Sequence, residues 1–310
     1  MSLSPEFVPA AQTVLPGSWG AWTVALRPKT FWIAMIPVLV GTALAFGLTQ
    51  HVDFFVAAIA LVASLLMQVV TNLQNDVGYT ERGGETGARV GLPRATANGW
   101  LPIAGVKRAI VVAIAAAWLV SVPLFVRAGL PAAAMALGST IAAWAYMGGP
   151  RPIAYTPLGE ATVFVFFGLV AVCGTFYVQT LTLAPVVVVA SAAIGLLAAD
   201  VLLVNNTRDI DHDATTGRHT LAVVLARRNA TRLHAMLVLT PFVLAAWLAW
   251  RESAWFALPL VALPAAWRLV RDVATTISGV AMNALLFRAV KLELVFGVLL
   301  AAGAIGYGLR

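Results

Sequence analysis

A long apolar run of the chain ends in the polar stretch Asn205-Asn206-Thr207-Arg208-Asp209-Ile210-Asp211-His212-Asp213. Another apolar run ends in a similar stretch, Asn72-Leu73-Gln74-Asn75-Asp76-Val77-Gly78-Tyr79-Thr80-Glu81-Arg82-Gly83-Gly84-Glu85. Each stretch holds three of the chain's 13 acidic residues, so the two together hold six. Carboxylates at this spacing, beside arginines, suit a hard divalent cation and a diphosphate. We expect the rest of the chain to bring these two stretches together.

The composition indicates a membrane protein. Of 310 residues, 61% are hydrophobic and 11% are charged, whereas a soluble domain carries about 25% charged residues. The single cysteine, Cys173, excludes an internal disulfide. The net charge of +7 comes from basic residues in short segments between apolar runs, which favours membrane topology and anionic lipid over nucleic acid as its cause.

Apolar runs long enough to cross a bilayer, at about 20 residues each, occur along the whole chain. We count nine, at 31–49, 53–74, 107–126, 131–147, 160–180, 184–206, 234–250, 254–270 and 284–308. The sequence therefore predicts an all-α, polytopic membrane protein with nine transmembrane helices in one domain, residues 1–310. Lysine and arginine are concentrated on one side, which places the long loops 75–106 and 207–233 on the cytoplasmic face of the cell's inner membrane.

The second polar stretch has the pattern of a magnesium and phosphate site. Asp209 and Asp213 are four residues apart and would share one face of a helix that extends past the membrane edge. The amides of Asn205 and Asn206 lie about one turn earlier and can add oxygen ligands. Mg²⁺ takes one or two carboxylates together with phosphate oxygens. Nearby arginines that could bind the phosphates with paired donors are Arg208 and Arg218. The alternative is an ordinary solvated loop.

The first polar stretch is similar but incomplete. Its acids are Asp76, Glu81 and Glu85, its amides are Asn72 and Asn75, and Tyr79 stands where an acid would be expected. A glycine-rich segment broken by Pro93 follows, and it cannot form one regular helix. This segment could close over a phosphate with the arginines Arg82, Arg89 and Arg94. An ordinary cytoplasmic loop is the alternative.

Four passages carry a resemblance to a known family. They are Ala25-Leu26-Arg27-Pro28-Lys29-Thr30; Asn75-Asp76 through Gly91-Leu92-Pro93-Arg94; Tyr146-Met147-Gly148-Gly149-Pro150-Arg151-Pro152-Ile153-Ala154-Tyr155 with Leu158-Gly159-Glu160; and Asn205 through Asp209 with Asp213, Gly217, Arg218, Thr220, Leu221 and Ala222. The chain resembles the UbiA superfamily of intramembrane prenyltransferases. Within it, the chain is most similar to the 1,4-dihydroxy-2-naphthoate polyprenyltransferases of menaquinone synthesis.

The resemblance implies that two aspartate-rich motifs bind Mg²⁺ and the diphosphate of a polyprenyl donor, whose prenyl group is transferred to an aromatic acceptor. The implied metal ligands are Asn75, Asp76, Glu85, Asn206, Asp209 and Asp213. The sequence departs from the family at Tyr79, where relatives have an aspartate, and at Arg218, where they have a lysine. Glu85 stands in for another aspartate, and Glu81 is a candidate for the carboxylate that Tyr79 replaces. For the acceptor's proton, the candidates are Asp76 and Glu81.

Several other polar residues allow two interpretations. Tyr146 and Tyr155 flank a Gly-Pro turn, and they could either anchor the chain at the membrane interface or contact the acceptor. Asn72 is a further candidate for substrate contact. Asp200 lies inside the sixth predicted span, so we expect it to face the cavity or a partner. Arg288 and Lys291 share one face of the last span. For them we favour pairing with Glu160 or Asp200, or snorkelling, over acceptor binding.

Other function classes remain open at this level. The acceptor could be a hydroxybenzoate or homogentisate, which product analysis would separate. Loss of the acid at position 79 also fits a non-catalytic protein that binds an isoprenoid or quinone, although the intact second motif argues against it. Charges within the spans suggest a transporter, which the one-sided polar loops disfavour. The Asp-Gly-x-x-Ala-Arg signature of CDP-alcohol phosphotransferases is absent.

Overall fold

The computed structural model describes residues 14–84 and 91–310, and this part of the chain contains helices and no strand. The α-helices are α1 (Trp19–Leu26), α2 (Phe31–Thr49), α3 (Phe54–Glu81), α4 (Ile103–Met147), α5 (Gly159–Val163), α6 (Gly174–Thr180), α7 (Pro185–Arg208), α8 (Ile210–Thr215), α9 (Leu221–Arg251), α10 (Leu263–Thr275) and α11 (Gly279–Gly308). A π-helical segment, Phe164–Cys173, joins α5 to α6. The all-α class predicted from sequence is confirmed.

Six helical segments are long and apolar enough to cross a membrane: Trp19–Thr49, Phe54–Glu81, Ile103–Met147, Gly159–Thr180, Pro185–Arg208 and Leu221–Arg251. The predicted count of nine spans is not confirmed. One reason is that the predicted spans 107–126 and 131–147 are counted together in the 45-residue element α4, although its helical backbone is interrupted at Gly129. Another is that α10 has 13 residues, about 20 Å at 1.5 Å per residue, and is too short to cross by itself.

Helix α4 reverses direction at Gly129. That residue has φ 64° and ψ −147°, which lies outside the helical region and favours glycine. The indole Nε1 of Trp118 donates a hydrogen bond to Thr140 Oγ1 at 3.1 Å. In a straight helix these residues would be about 33 Å apart. The two halves of α4 therefore run back along each other as separate arms.

The largest hydrophobic core lies where α2, α7, α9 and α11 meet. Phe242 of α9 and Phe296 of α11 stack edge to face at 5.2 Å between ring centroids. Small residues let backbones approach elsewhere in the bundle: a Cβ added to Gly168 would lie 2.5 Å from the Cα of Gly195. Close approach at small residues is how helices pack in a bilayer, where the lipid supplies no hydrophobic drive for helices to associate.

Charged residues within the bundle have different partners from those that the sequence suggests. Asp200 accepts a hydrogen bond at 2.6 Å from Nδ1 of His234, so α7 and α9 are linked in the core. Arg288 pairs with Asp272 at 2.7 Å, and both side chains are exposed. The predicted pairing of Arg288 with Glu160 or Asp200 is therefore wrong, because Arg288 lies on the outer face of α11.

The two long loops predicted from hydropathy are shorter in the structure. Helix α3 continues through residue 81, α8 occupies 210–215, and α9 begins at residue 221 rather than 234, with a break in its helical backbone at Ala226. Hydropathy detects only the apolar part of each helix, and these helices extend beyond it with polar turns. The polar motifs therefore lie mostly on helix ends.

We predict that Gly129→Ala destabilises the protein by about 1–3 kcal/mol, the cost of holding an alanine in this backbone conformation. The added Cβ would meet no atom within 4 Å, so backbone strain alone is tested. Gly138→Ala is the matched control in the second arm of α4, where a Cβ would make only an ordinary 3.8 Å contact with Phe166. Thermal unfolding of the detergent-solubilised protein measures the difference. Equal midpoints for the two variants would contradict a reversal that requires Gly129.

Candidate active site

The carboxylate of Asp76 holds the segment after α3 in place. Asp76 is fully buried; its Oδ2 accepts from the Ala95 N–H at 2.9 Å, and its Oδ1 accepts from the Thr96 N–H at 2.8 Å. The Thr96 hydroxyl adds a bond at 2.6 Å to Oδ1. Hydrogen bonds to a charged acceptor are among the strongest in proteins. Residues 91–102 are thereby folded over the end of α3.

This arrangement brings Arg94 back to the first motif. Arg94 is buried, donates from Nη1 to the backbone oxygen of Asn75 at 3.0 Å, and lies 3.6 Å over the ring of Tyr79. The guanidinium of Arg218 lies 4.7 Å from the same ring centroid. Tyr79 therefore contacts two guanidinium groups, one from the segment after each polar stretch.

In the second motif, the two aspartates lie one helical turn apart. The N–H of Asp213 donates to the backbone oxygen of Asp209 at 2.8 Å. Both carboxylate oxygens of Asp209 accept from Arg208, at 2.8 and 2.5 Å. Asp213 Oδ1 accepts from Arg218 Nη1 at 2.6 Å. Each aspartate is thus buried beside one arginine.

Buried oxygens near these pairs have no hydrogen-bond partner within the described ranges. They are Asp213 Oδ2, Asn206 Oδ1 and Glu160 Oε2. Asn206 Nδ2 donates to the other oxygen of Glu160 at 2.9 Å, which joins the start of α5 to α7. Oxygen atoms that lack a donor fit a hard cation. No group of three or more acidic, histidine or cysteine side chains that could hold a metal occurs in the described part.

A small polar pocket of about 70 Å³ lies between the two motifs. It is lined by Arg27, Asn75, Tyr79, Leu92, Arg94, Tyr146, Leu202, Asn205, Asn206, Arg208 and Arg218. Several of these residues also line a cavity of about 400 Å³ whose walls are mainly apolar, including Trp118, Phe125 and Phe166. The shared residues are Arg27, Asn75, Leu92, Tyr146, Leu202 and Asn205. An arginine-rich pocket therefore adjoins a large apolar cavity.

Burial shifts the pKa values of two acidic groups that contact Arg218. Burial raises the pKa of the Asp213 carboxyl, Arg218 opposes that rise, and the charge of Asp209 adds to it. Burial also raises the pKa of the Tyr155 phenol, again opposed by Arg218. A divalent cation at Asp213 would favour the ionised carboxylate.

The structure separates the predicted site residues into groups. Seven line the polar pocket: Asn75, Tyr79, Arg94, Tyr146, Asn206, Arg208 and Arg218. Asn72 lines the apolar cavity and donates to the Leu26 oxygen at 2.7 Å. Tyr155 lies beside the pocket, 5.6 Å from the Arg218 guanidinium. Asp209 and Asp213 do not line the pocket, and each pairs with one of its arginines, Arg208 and Arg218. Glu85 and Arg89 lie outside the described residues.

Two residues predicted for the first motif lie away from the polar pocket. Glu81, predicted to replace the missing acid, pairs with Lys107 at 2.5 Å on an exposed surface, because its turn of α3 faces α4. Arg82, predicted to bind diphosphate, donates to the Gly149 oxygen and lies 5.5 Å from the Tyr155 ring. Neither residue lines the polar pocket.

The sequence reasoning missed two contributors. Arg27 lines both cavities, and Glu160 carries a partnerless buried oxygen at the start of α5. Both lie within passages noted for their resemblance, Arg27-Pro28-Lys29-Thr30 and Leu158-Gly159-Glu160. In both cases the charged residue lies immediately before an apolar run, and this position could have identified it as a candidate from the sequence.

The fold and site define a helical membrane enzyme for a substrate with an anionic head and an apolar body. The profile of the UbiA prenyltransferase family matches residues 34–290. The 1,4-dihydroxy-2-naphthoate octaprenyltransferase of Escherichia coli (strain K12) is 38% identical over 299 residues, covering 91% of this chain and 94% of that protein. The protein of the same name from Mycobacterium leprae (strain TN) is 33% identical over 297 residues, 93% and 97% of the two chains.

Solved structures agree on the fold. A UbiA homolog from Archaeoglobus fulgidus, solved with DMAPP and Mg²⁺, superposes with a TM-score of 0.65 at 14% identity, covering 92% of this chain and 99% of that one. The apo structure of a UbiA homolog from Aeropyrum pernix K1 has a TM-score of 0.65 at 12% identity, with 90% and 98% covered. The chain belongs to the UbiA prenyltransferase family. It is an integral membrane enzyme that transfers a prenyl group.

We predict that Asp76→Ala releases residues 91–102 and exposes the Arg94–Ala95 peptide bond to trypsin. Each hydrogen bond to a charged group is worth about 1.5–3 kcal/mol, so cleavage at this bond should accelerate about tenfold or more. Mass spectrometry of the fragments measures the rate at that bond specifically. Glu81→Ala is the control, since it removes an exposed carboxylate from the same helix end. Equal cleavage in both variants would show that Asp76 does not hold the segment.

Proposed function

We propose that the enzyme transfers a polyprenyl group from its diphosphate to 1,4-dihydroxy-2-naphthoate, as a step of menaquinone synthesis. The observation that carries this proposal is the arginine-rich pocket opening into an apolar cavity of about 400 Å³. The polar pocket, with its arginines, would bind the diphosphate. The apolar cavity would hold the prenyl chain and the aromatic ring. The names of the relatives from E. coli and M. leprae support the naphthoate acceptor.

The arginines of the pocket would bind the diphosphate head. Arg94 and Arg218 present guanidiniums held by Tyr79, and Arg27 and Arg208 lie on the same pocket. Fixed donors in a buried site stabilise negative charge that develops on a leaving group. As the bond between the prenyl C1 and the bridging oxygen breaks, its electron pair goes to the diphosphate. The arginines thus favour departure of the diphosphate.

The second motif would hold the divalent cation, for which we propose Mg²⁺. Asp213 Oδ2 and Asn206 Oδ1 are the buried oxygens available to it, and Asp209 lies one turn from Asp213. When bound, Mg²⁺ would withdraw charge from the diphosphate as a Lewis acid. The solved A. fulgidus homolog that contains DMAPP and Mg²⁺ supports this choice.

The ring carbon of the acceptor would attack the allylic carbon within the apolar cavity. Apolar walls exclude water, which would otherwise hydrolyse the allylic cation. When the prenyl group replaces the ring carboxylate, CO₂ leaves instead of a proton, and no general base is needed at that carbon. Asp76 and Glu81, the two candidates for a base, already bond to other groups of the protein, which agrees with a reaction that needs no base at this carbon. We propose that Tyr146, on the wall that both spaces share, contacts the acceptor.

We further propose that residues 1–310 form one domain with nine spans in the inner membrane. Support comes from the reversal of α4 at Gly129, which gives two arms, and from the 30-residue helix α11. The 3₁₀ segment Ala254–Ala262 together with α10 adds a further apolar run. The lysines and arginines near the polar motifs would place the pocket on the cytoplasmic side.

The reaction is tested by mass spectrometry of products from purified protein, Mg²⁺, a polyprenyl diphosphate and a panel of aromatic acids. We expect a prenylated, decarboxylated naphthoquinol. Asp213→Ala should lower the rate about 100-fold or more, because several kcal/mol of charge stabilisation are lost. Asp211→Ala is the matched control in the same motif, where the side chain is 99% exposed, and it should keep the normal rate.

Other outcomes of this assay would change the assignment. Prenylation of a hydroxybenzoate or homogentisate in place of the naphthoate would keep the chemistry and replace the acceptor. Retention of the donor without product from any acid would favour an isoprenoid-binding protein. A normal rate in Asp213→Ala would contradict a cation site at the second motif.

A further inference from the structure

The two polar motifs differ in what they offer to a cation, and this difference bears on how the proposed donor is bound. In the second motif, Asp213 Oδ2 and Asn206 Oδ1 are buried oxygens without a partner in the described part of the chain. In the first motif, both oxygens of Asp76 already accept hydrogen bonds from Ala95 and Thr96. These bonds occupy part of the acceptor capacity of Asp76, which a cation there would have to share. Among the described residues, the oxygens without a partner therefore favour the second motif.

At the position where the first motif would have a further acid, this chain has Tyr79, whose aromatic ring lies against two arginine guanidiniums. Tyr79 is buried, and the guanidiniums of Arg94 and Arg218 lie 3.6 and 4.7 Å from its ring centroid. All three residues line the polar pocket. Two positive charges at this position would attract a diphosphate. The ring face stabilises both charges by cation–π attraction.

We propose that this enzyme binds a single divalent cation, at the second motif, and that Tyr79 positions Arg94 and Arg218 to bind the other side of the donor diphosphate directly. Tyr79 is a positioning residue in this arrangement, since it acts through the two arginines. The inference rests on the proposed use of a polyprenyl diphosphate donor. It gives a physical role to the tyrosine that interrupts the acidic pattern of the first motif.

The number of bound cations tests the proposal without turnover. Purified protein in nanodiscs is titrated with Mn²⁺ in the presence of a non-reactive polyprenyl thiolodiphosphate, and bound Mn²⁺ is counted by electron paramagnetic resonance. We expect one Mn²⁺ per chain in the unmodified protein and none in Asp213→Ala. Tyr79→Asp should bind two, because it restores a carboxylate and removes the ring beneath the arginines. Two Mn²⁺ in the unmodified protein, or an unchanged count in Tyr79→Asp, would overturn the proposal.

The affinity for the same thiolodiphosphate tests the role of the ring. Tyr79→Phe keeps the aromatic face and should bind within about threefold of the unmodified protein, whereas Tyr79→Leu should bind about tenfold more weakly through loss of two cation–π contacts. Equal affinities for Tyr79→Leu and Tyr79→Phe would overturn the positioning role. Size-exclusion profiles of the two variants control for folding.

These measurements are independent of the product assay. A protein that binds the thiolodiphosphate with one Mn²⁺ but forms no prenylated product would refute the proposed function and leave this inference standing. A protein that forms product with two Mn²⁺ bound would do the opposite.

Discussion

The buried guanidinium of Arg218 joins the three parts of the chain that form the site. It donates to Asp213 at 2.6 Å and to the Ala154 oxygen at 3.1 Å, and it lies over the ring of Tyr79. The second motif, the turn after α4 and the first motif therefore share one cation. A buried guanidinium is tolerated only where acceptors surround it, because removing it from water costs several kcal/mol. Helix packing at this end of the bundle must satisfy this constraint.

The rest of the site has two parts, the arginine-rich polar pocket and the apolar cavity. Asp76 closes residues 91–102 over α3, which brings Arg94 to the polar pocket and away from water. Behind the pocket, the arms of α4 and the π-helical segment enclose the apolar cavity. Wider π-helical turns often occur at functional sites, and here Phe166 and Phe167 of that segment line the cavity. One end of the site holds charge and the other holds hydrocarbon.

Hydrophobic pattern and motif spacing predicted much of this arrangement. The span predicted at 31–49 agrees with α2, and the resemblance to UbiA prenyltransferases is confirmed by the family match. Local pattern could not predict long-range contacts. The bond between Asp200 and His234 joins residues 34 apart, and the contacts of Asp76 depend on how residues 91–102 fold back. The reversal within α4 at Gly129 falls between the two spans predicted at 107–126 and 131–147.

We propose that the donor lies with its diphosphate among the arginines and its chain in the apolar cavity. An experimental structure with a bound polyprenyl thiolodiphosphate would test this placement. We expect phosphate oxygens within hydrogen-bond distance of the Arg94 and Arg218 guanidiniums and the first isoprene units beside Phe166. A diphosphate bound on the exposed side of Glu81 and Lys107, or a prenyl chain lying outside the cavity along the bundle surface, would contradict it.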